Sequence, residues 1–291
     1  MSVYKHEYRA YDGPITSLGA RIGVLTRYAF EEAWSSRLTV VLFIVCLLPA
    51  LVFLVGIYLA NNPLARVLVM HGGSPPFEIN ASYFAKVLAN QCWFALALTA
   101  WVAPRLISFD LADNALPVLL SRPVSRFGYV LGKFLAMFAF LSLVTWIPCL
   151  LLFLYQGYTS DKPWVFDNLR IATGLLAGSV LWITVLALLG LALSALVKWR
   201  VVATGIIFAA VFVPAGVGGI IFGVLRTHWG FLINLPVVMM ELWEWLLGAP
   251  YSMPRIEPLP IPAIFIMLGV VLLICVAMLN ARIRAREVVR G

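Results

Sequence analysis

Six apolar runs, each about as long as a bilayer crossing, alternate along the chain with shorter polar or proline-rich segments. They cover about 38–60, 83–107, 129–155, 171–197, 201–225 and 261–281. A hydrocarbon core about 30 Å thick is crossed by roughly 20 helical residues. Lipid offers no partner for backbone polar groups, so each run is predicted to be a helix that satisfies its own. The first run begins at Leu38 and exceeds the 7 to 15 residues of a signal-peptide core. It is expected to be retained as a span. Ahead of it, over 15–37, Leu18, Ile22, Leu25, Ala29 and Ala33 recur at helical spacing, with Phe30 and Trp34 widening that face and Arg21, Glu31 and Ser35 opposite. This pattern predicts an amphipathic helix lying at the membrane surface.

The segments between the spans differ in character. The stretch 61–80 carries Pro63, Gly72, Gly73, Pro75 and Pro76 and is expected to be irregular. Only Lys198, Trp199 and Arg200 separate spans four and five, which are therefore expected to be antiparallel neighbours. Within span five, VPAGVGG at 213–219 predicts a kink or a break facing the bundle interior, because Pro214 removes a backbone bond and the glycines loosen the helix. Between spans five and six, Leu232, Leu235, Val238, Leu242 and Trp245 mark an apolar helix face, with Glu241 and Glu244 on its polar side. Pairs of glycines four apart at 128/132, 174/178 and 219/223 match a close-packing motif for membrane helices.

The most heavily punctuated segment runs from Ser108 to Lys133, between spans two and three. A helix from Asp110 to Ser121 would place Ala112, Leu116, Leu119 and Leu120 on one side and Asp110, Asp113, Asn114, Pro117 and Ser121 on the other. Pro123 disfavours helix at Arg122, and Ser125 can cap the start of span three, leaving Arg122 and Arg126 at the corner. A short apolar stripe with a charged rim is what a helix needs to lie in a partner's groove.

Composition agrees with a membrane bundle. Of 291 residues, 63% are hydrophobic and 12% charged, and the mean hydropathy is +0.97. Soluble domains are closer to 45–50% and 25%. The net charge of +8 does not point to nucleic acid, because fifteen of the 21 basic residues fall on one side once the N-terminus is placed there. The positive-inside rule makes that side the cytoplasm, with both termini and the 108–133 loop on it. Cys46, Cys92, Cys149 and Cys275 stand singly in four spans, so neither a metal site nor a disulfide framework is indicated. Few polar groups fall inside the spans. Asn90, Gln91, Pro214 and Gly216 are the candidates for lining a pathway, though hydrogen bonding between helices accounts for Asn90 and Gln91 at least as well.

The segment LLSRPVSR at 119–126, followed by LGK at 131–133 and preceded by an acid at Asp110 or Asp113, resembles the membrane subunits of ABC-2 type ABC exporters. Members commonly have Gly-Thr where this chain has Asn114 and Ala115. The resemblance extends to the N-terminal amphipathic helix, the six spans and a helical segment between spans five and six, hence to nearly the whole chain. It implies an all-α, polytopic permease in the cell (inner) membrane, forming one domain. Residues 1–37 would be a cytoplasmic tail and amphipathic helix, 38–281 the six-span bundle, and 282–291 a basic cytoplasmic tail. It further implies a coupling helix seated on a separate cytoplasmic ATPase through Asp110, Asp113, Asn114, Leu116, Leu119, Leu120, Arg122 and Arg126. Beside it would lie a connecting helix bearing Arg21, Leu25, Arg27, Phe30, Glu31 and Trp34. A second permease copy or close paralogue completes the expected assembly, with lipid around it.

ATP hydrolysis needs a P-loop, and the nearest string, Gly128 to Phe134, has the wrong spacing and Phe where a hydroxyl belongs. The chain is therefore expected to be non-catalytic and without a cofactor, with ATP and magnesium on the partner. Two alternative readings stand beside this one. Asp110 and Asp113 form a DxxD pair of the kind that binds magnesium and a diphosphate in intramembrane transferases, but no second acidic cluster accompanies it. A non-transporting membrane scaffold is the other.

Overall fold

The computed structural model describes residues 17–70, 78–112, 125–160, 163–252 and 257–282. All regular structure among them is helical, and six helical stretches are long and apolar enough to cross a membrane. The chain has the architecture of a multi-pass membrane protein. Span one is Arg37–Asn61, span two Ala81–Ala112, span four Leu169–Ser194, span five Arg200–Leu225 and span six Ile261–Arg282. Span three is built from two helices, Arg126–Ser142 and Trp146–Thr159.

That division departs from the single apolar run expected there. Pro148 has no N–H to donate one turn back, and Ser142 and Thr145 turn their hydroxyls onto the carbonyls of Phe138 and Leu141. Hydroxyls that bond back to the preceding turn loosen a helix, and the proline completes the interruption at 143–145. A second departure is the helix Pro63–Met70 in the stretch expected to be irregular. Asn62 accepts from the N–H of Ala65 and Pro63 opens the helix, a favourable start that outweighs the glycines and prolines further on. Span five also differs from expectation: it is one helix through Pro214, and of 213–219 only Gly218 is buried.

Spans two and four form the centre. In each, 67% of the most apolar window is buried, against 11% for span one and 17% for spans five and six. They run parallel, with Gly190 against Thr99 and Ala103. Trp182 donates its indole N–H to the Cys92 carbonyl at 2.9 Å, and Ser108 donates to the Ser194 carbonyl at 3.0 Å. Apolar burial does not drive helices together in lipid, so close packing and such hydrogen bonds carry the association. Span one is tied on by Trp101 to Thr39 and by Tyr83 to the Phe53 carbonyl, and span five by Thr204 to the Ala100 carbonyl.

The bundle has two unlike ends. Spans one, three and five begin at the one that carries the amphipathic helix Leu18–Trp34, here the near end. Toward the far end, a 3-10 turn His228–Ile233 packs back against span five, and a cap helix Leu235–Leu247 packs against spans two and four. Asn234 caps that helix by accepting from the N–H of Val237, and Gly248, at φ 73°, ends it. Arg170 then donates to the Trp245 and Leu246 carbonyls at the helix's negative end.

Candidate functional site

The amphipathic helix has a partner that its sequence does not name. Ser17 caps it, accepting from the N–H of Ala20, and Ala29 and Ala33 are buried. Its apolar face does not simply rest on a membrane surface. It packs against the first helix of span three. The absence of a side chain at Gly132 allows this approach: a Cβ there would stand 3.0 Å from the Leu25 Cβ. Beyond that point Lys133, itself buried, reaches Glu32 at 3.3 Å. Phe30 and Trp34 then pack edge-on against Phe140, with Trp34 also 4.7 Å from the Phe43 ring of span one. The helix is thus clamped by a close backbone approach, an ion pair and an aromatic cluster.

The connecting-helix residues divide accordingly. Leu25, Phe30 and Trp34 make the inward contact, and Arg21 is half-buried. Arg27 and Glu31 face solvent and pair with each other at 2.8 Å, which raises the Arg27 pKa through that hydrogen bond and the Glu31 charge. Gly132 belongs to a glycine pair that the close-packing motif marks, whereas nothing in the sequence marks Glu32 or Lys133 as a contact. The glycine and lysine stand in the LGK string that carried the resemblance; Glu32 offered only its charge.

Of the proposed docking residues, Asp113, Asn114, Leu116, Leu119, Leu120 and Arg122 lie outside the described residues. Asp110 belongs to the unbroken helix of span two, which continues to Ala112. The helix expected to begin at Asp110 therefore does not begin there. Arg126 opens span three and is exposed. Ser125 caps it as expected, accepting from the N–H of Gly128 at 3.0 Å. Segment 113–124 is consequently flanked by two spans, and both are tied to the amphipathic helix. Span three is held by the clamp, and span two by Arg105, whose Nη2 lies 3.5 Å from the Ser35 Oγ at the helix C-cap.

The four candidate pathway residues do not share one face. Asn90 is exposed and donates to the Lys86 carbonyl of its own helix. With Lys86 and Trp93 it forms an exposed stripe on span two, and Trp93 stacks on Phe212 of span five at 5.9 Å. Gln91 lies inside the bundle, and neither its amide nitrogen nor its oxygen has a hydrogen-bond partner. Among the described residues, neither makes the interhelical hydrogen bond that would account for it. Pro214 is half-buried and Gly216 exposed on span five.

At the far end Glu241 and Glu244 correct the reading that placed them on a polar face: both are buried. Glu241 accepts from the N–H of Leu259 at 2.8 Å, and Glu244 accepts from the Ser252 N–H and hydroxyl. They pin the non-helical chain that follows the cap helix, whose N–H groups no helix can satisfy. Beside them an apolar cavity of about 200 Å³ is lined by Cys92, Trp93, Trp182, Met240 and Trp243. The four cysteines are free and buried, and no cluster of metal-ligating side chains occurs among the described residues. Compared with known proteins, the chain matches no family model and no curated sequence.

Proposed function

We propose that this chain is the permease subunit of an ATP-driven exporter of the ABC-2 type, coupled to a separate ATPase through the segment between spans two and three. The observation that carries this reading is the shared attachment of that segment's two flanking spans to the amphipathic helix. A force applied at 113–124 meets span two, span three and the amphipathic helix as one body. Rigid-body displacement of packed helices is how such a push travels through a bundle.

Two further features support it. The exposed stripe of Lys86 and Asn90 on span two is unsuited to lipid tails and suits a wet pathway or a second copy. Span five presents Gly216, Gly219 and Gly223 with nothing within 4 Å of a Cβ built on any of them. A second permease packed there would bring the two backbones close, as small residues allow in membranes. Six crossings begin and end on the near side, and the excess of basic residues there supports reading it as the cytoplasmic side.

Leu119→Glu and Leu120→Glu test the coupling. Each is expected to bury a charge at the docking face, release the ATPase and abolish transport while the bundle stays folded. Purification of the tagged chain with its ATPase measures this, and undiminished recovery of the ATPase would overturn the proposal. ATP turnover by the chain alone would do the same.

A further inference from the structure

Among the described residues, two arginines at the near end have no counter-charge beside them. Arg105 stands near the end of span two and Arg200 is the first residue of span five. Trp101 joins them: the Arg200 guanidinium carbon lies 3.9 Å from its ring centroid, and Arg105 follows Trp101 one turn along the same helix. The two charges are close enough to oppose each other. Among the described residues the ion pairs are Arg27 with Glu31 and Lys133 with Glu32, and neither involves these two. Arg105 Nε and Nη1 and Arg200 Nη2 are shielded from solvent without any hydrogen-bond partner. Among the described residues, the remaining Arg105 nitrogen makes the long contact to Ser35.

Withdrawing like charges from water with no counter-ion is strongly unfavourable, so the arrangement calls for an anion. Both residues stay half-exposed, so neither side chain is sealed inside the bundle. Next to Arg200, Trp199 supplies no side-chain cap, so the first N–H groups of a 26-residue helix also remain open to an acceptor. The depth identifies the source. Arg105 and Arg200 stand toward the near ends of spans two and five, and Ser35 lies two residues before span one. That is the level of lipid headgroups, and the exposed Trp199 suits it. On the lipid side of this level Leu38, Val41, Val201 and Val202 present apolar surface for acyl chains.

We propose that Arg105 and Arg200 together bind the phosphate of an anionic phospholipid headgroup in the near-end leaflet. Two guanidinium charges that stay ionised at any physiological pH attract a phosphate from spans two and five together. The site bridges spans two and five, and it stands whether or not the chain exports anything.

Native mass spectrometry of the full chain, released from nanodiscs of mixed phosphatidylglycerol and phosphatidylcholine, tests this. The wild-type chain is expected to retain phosphatidylglycerol preferentially, and R105Q/R200Q to lose about thirtyfold of that preference. An R105K/R200K chain keeps the charge, and is expected to lose only a few-fold. It also serves as the readout if the glutamine variant does not fold by gel filtration. Equal retention of the two lipids by the wild type, or an unchanged preference in the variants, would overturn the proposal. Glycerol 3-phosphate separates the sources. Failure to displace bound lipid supports a lipid site, and displacement at matching concentration would assign the site to a free phosphate instead.

Discussion

At the near end Glu32 reaches across to the ammonium of Lys133, whereas at the far end Glu241 and Glu244 turn to backbone and hydroxyl donors of the chain that follows them. The near-end pair joins two helices whose backbones are already satisfied, so it governs how the helices sit together. The far-end carboxylates replace hydrogen bonds that an irregular segment cannot make for itself. One end is a joint between rigid elements, and the other is a pinned lid. Glycine works at both. Gly132 admits the amphipathic helix, while Gly174 and Gly178 admit the cap helix against Leu246 and Trp243.

The largest effects are expected from filling those approaches. Gly132→Leu should displace the amphipathic helix and cost about 3 kcal/mol, near the upper end for overpacking. Limited proteolysis before residue 37 and thermal unfolding would register it. Gly219→Leu is the control, since nothing lies within 4 Å of its Cβ. It should leave the fold of a single chain within about 0.5 kcal/mol of wild type. Equal losses in the two variants would dissolve the distinction between a packed and an open glycine face.

Next in size is the lid. Glu241→Ala removes the acceptor for the buried Leu259 N–H and is expected to cost about 2 kcal/mol in thermal unfolding. Glu241→Gln keeps an acceptor oxygen and separates that bond from the charge. Burial pushes the Glu241 carboxyl above its ordinary value, and the Glu244 charge adds to this, while the Leu259 hydrogen bond and His228 oppose it. The folded chain therefore holds this proton more tightly than the unfolded chain. The resulting stability is full below the ordinary carboxyl range and is lost as pH rises through the folded-state value. The glutamine variant should flatten that decline and be at least as stable as wild type at pH 7. A steeper decline would contradict the assignment.

The smallest effect belongs to the joint's ion pair. Glu32 is partly exposed, so Glu32→Gln should cost only about 1 kcal/mol. Added salt should shrink the difference between variant and wild type, whereas the Glu241 variants should be nearly indifferent to salt. A salt-insensitive Glu32→Gln effect would show that packing, not charge, holds that end.

The spans were legible to within a few residues because about twenty apolar positions in lipid have one workable conformation. The caps at Ser125 and Asn234 use local chemistry of the same kind, and of these Ser125 was anticipated. The break at 143–145 was hidden inside an uninterrupted apolar run, where Ser142, Thr145 and Pro148 each looked tolerable alone. Helix Pro63–Met70 was obscured by the glycines and prolines beyond it, although Asn62 and Pro63 form a good start signal. Glu241 and Glu244 were misassigned because charge by itself argues for solvent, and only the returning chain supplies the donors that let them be buried.

Sequence alone determined that the chain is a six-span helical membrane protein with an amphipathic helix before the first span, since hydrophobic length and periodicity act locally. Tertiary structure decided what that helix grips, which glycines are contacts and which are open, and that Arg105 and Arg200 meet around Trp101. Each of those depends on residues tens to about a hundred positions apart, and a pairing at that separation leaves no periodic trace in the order of residues.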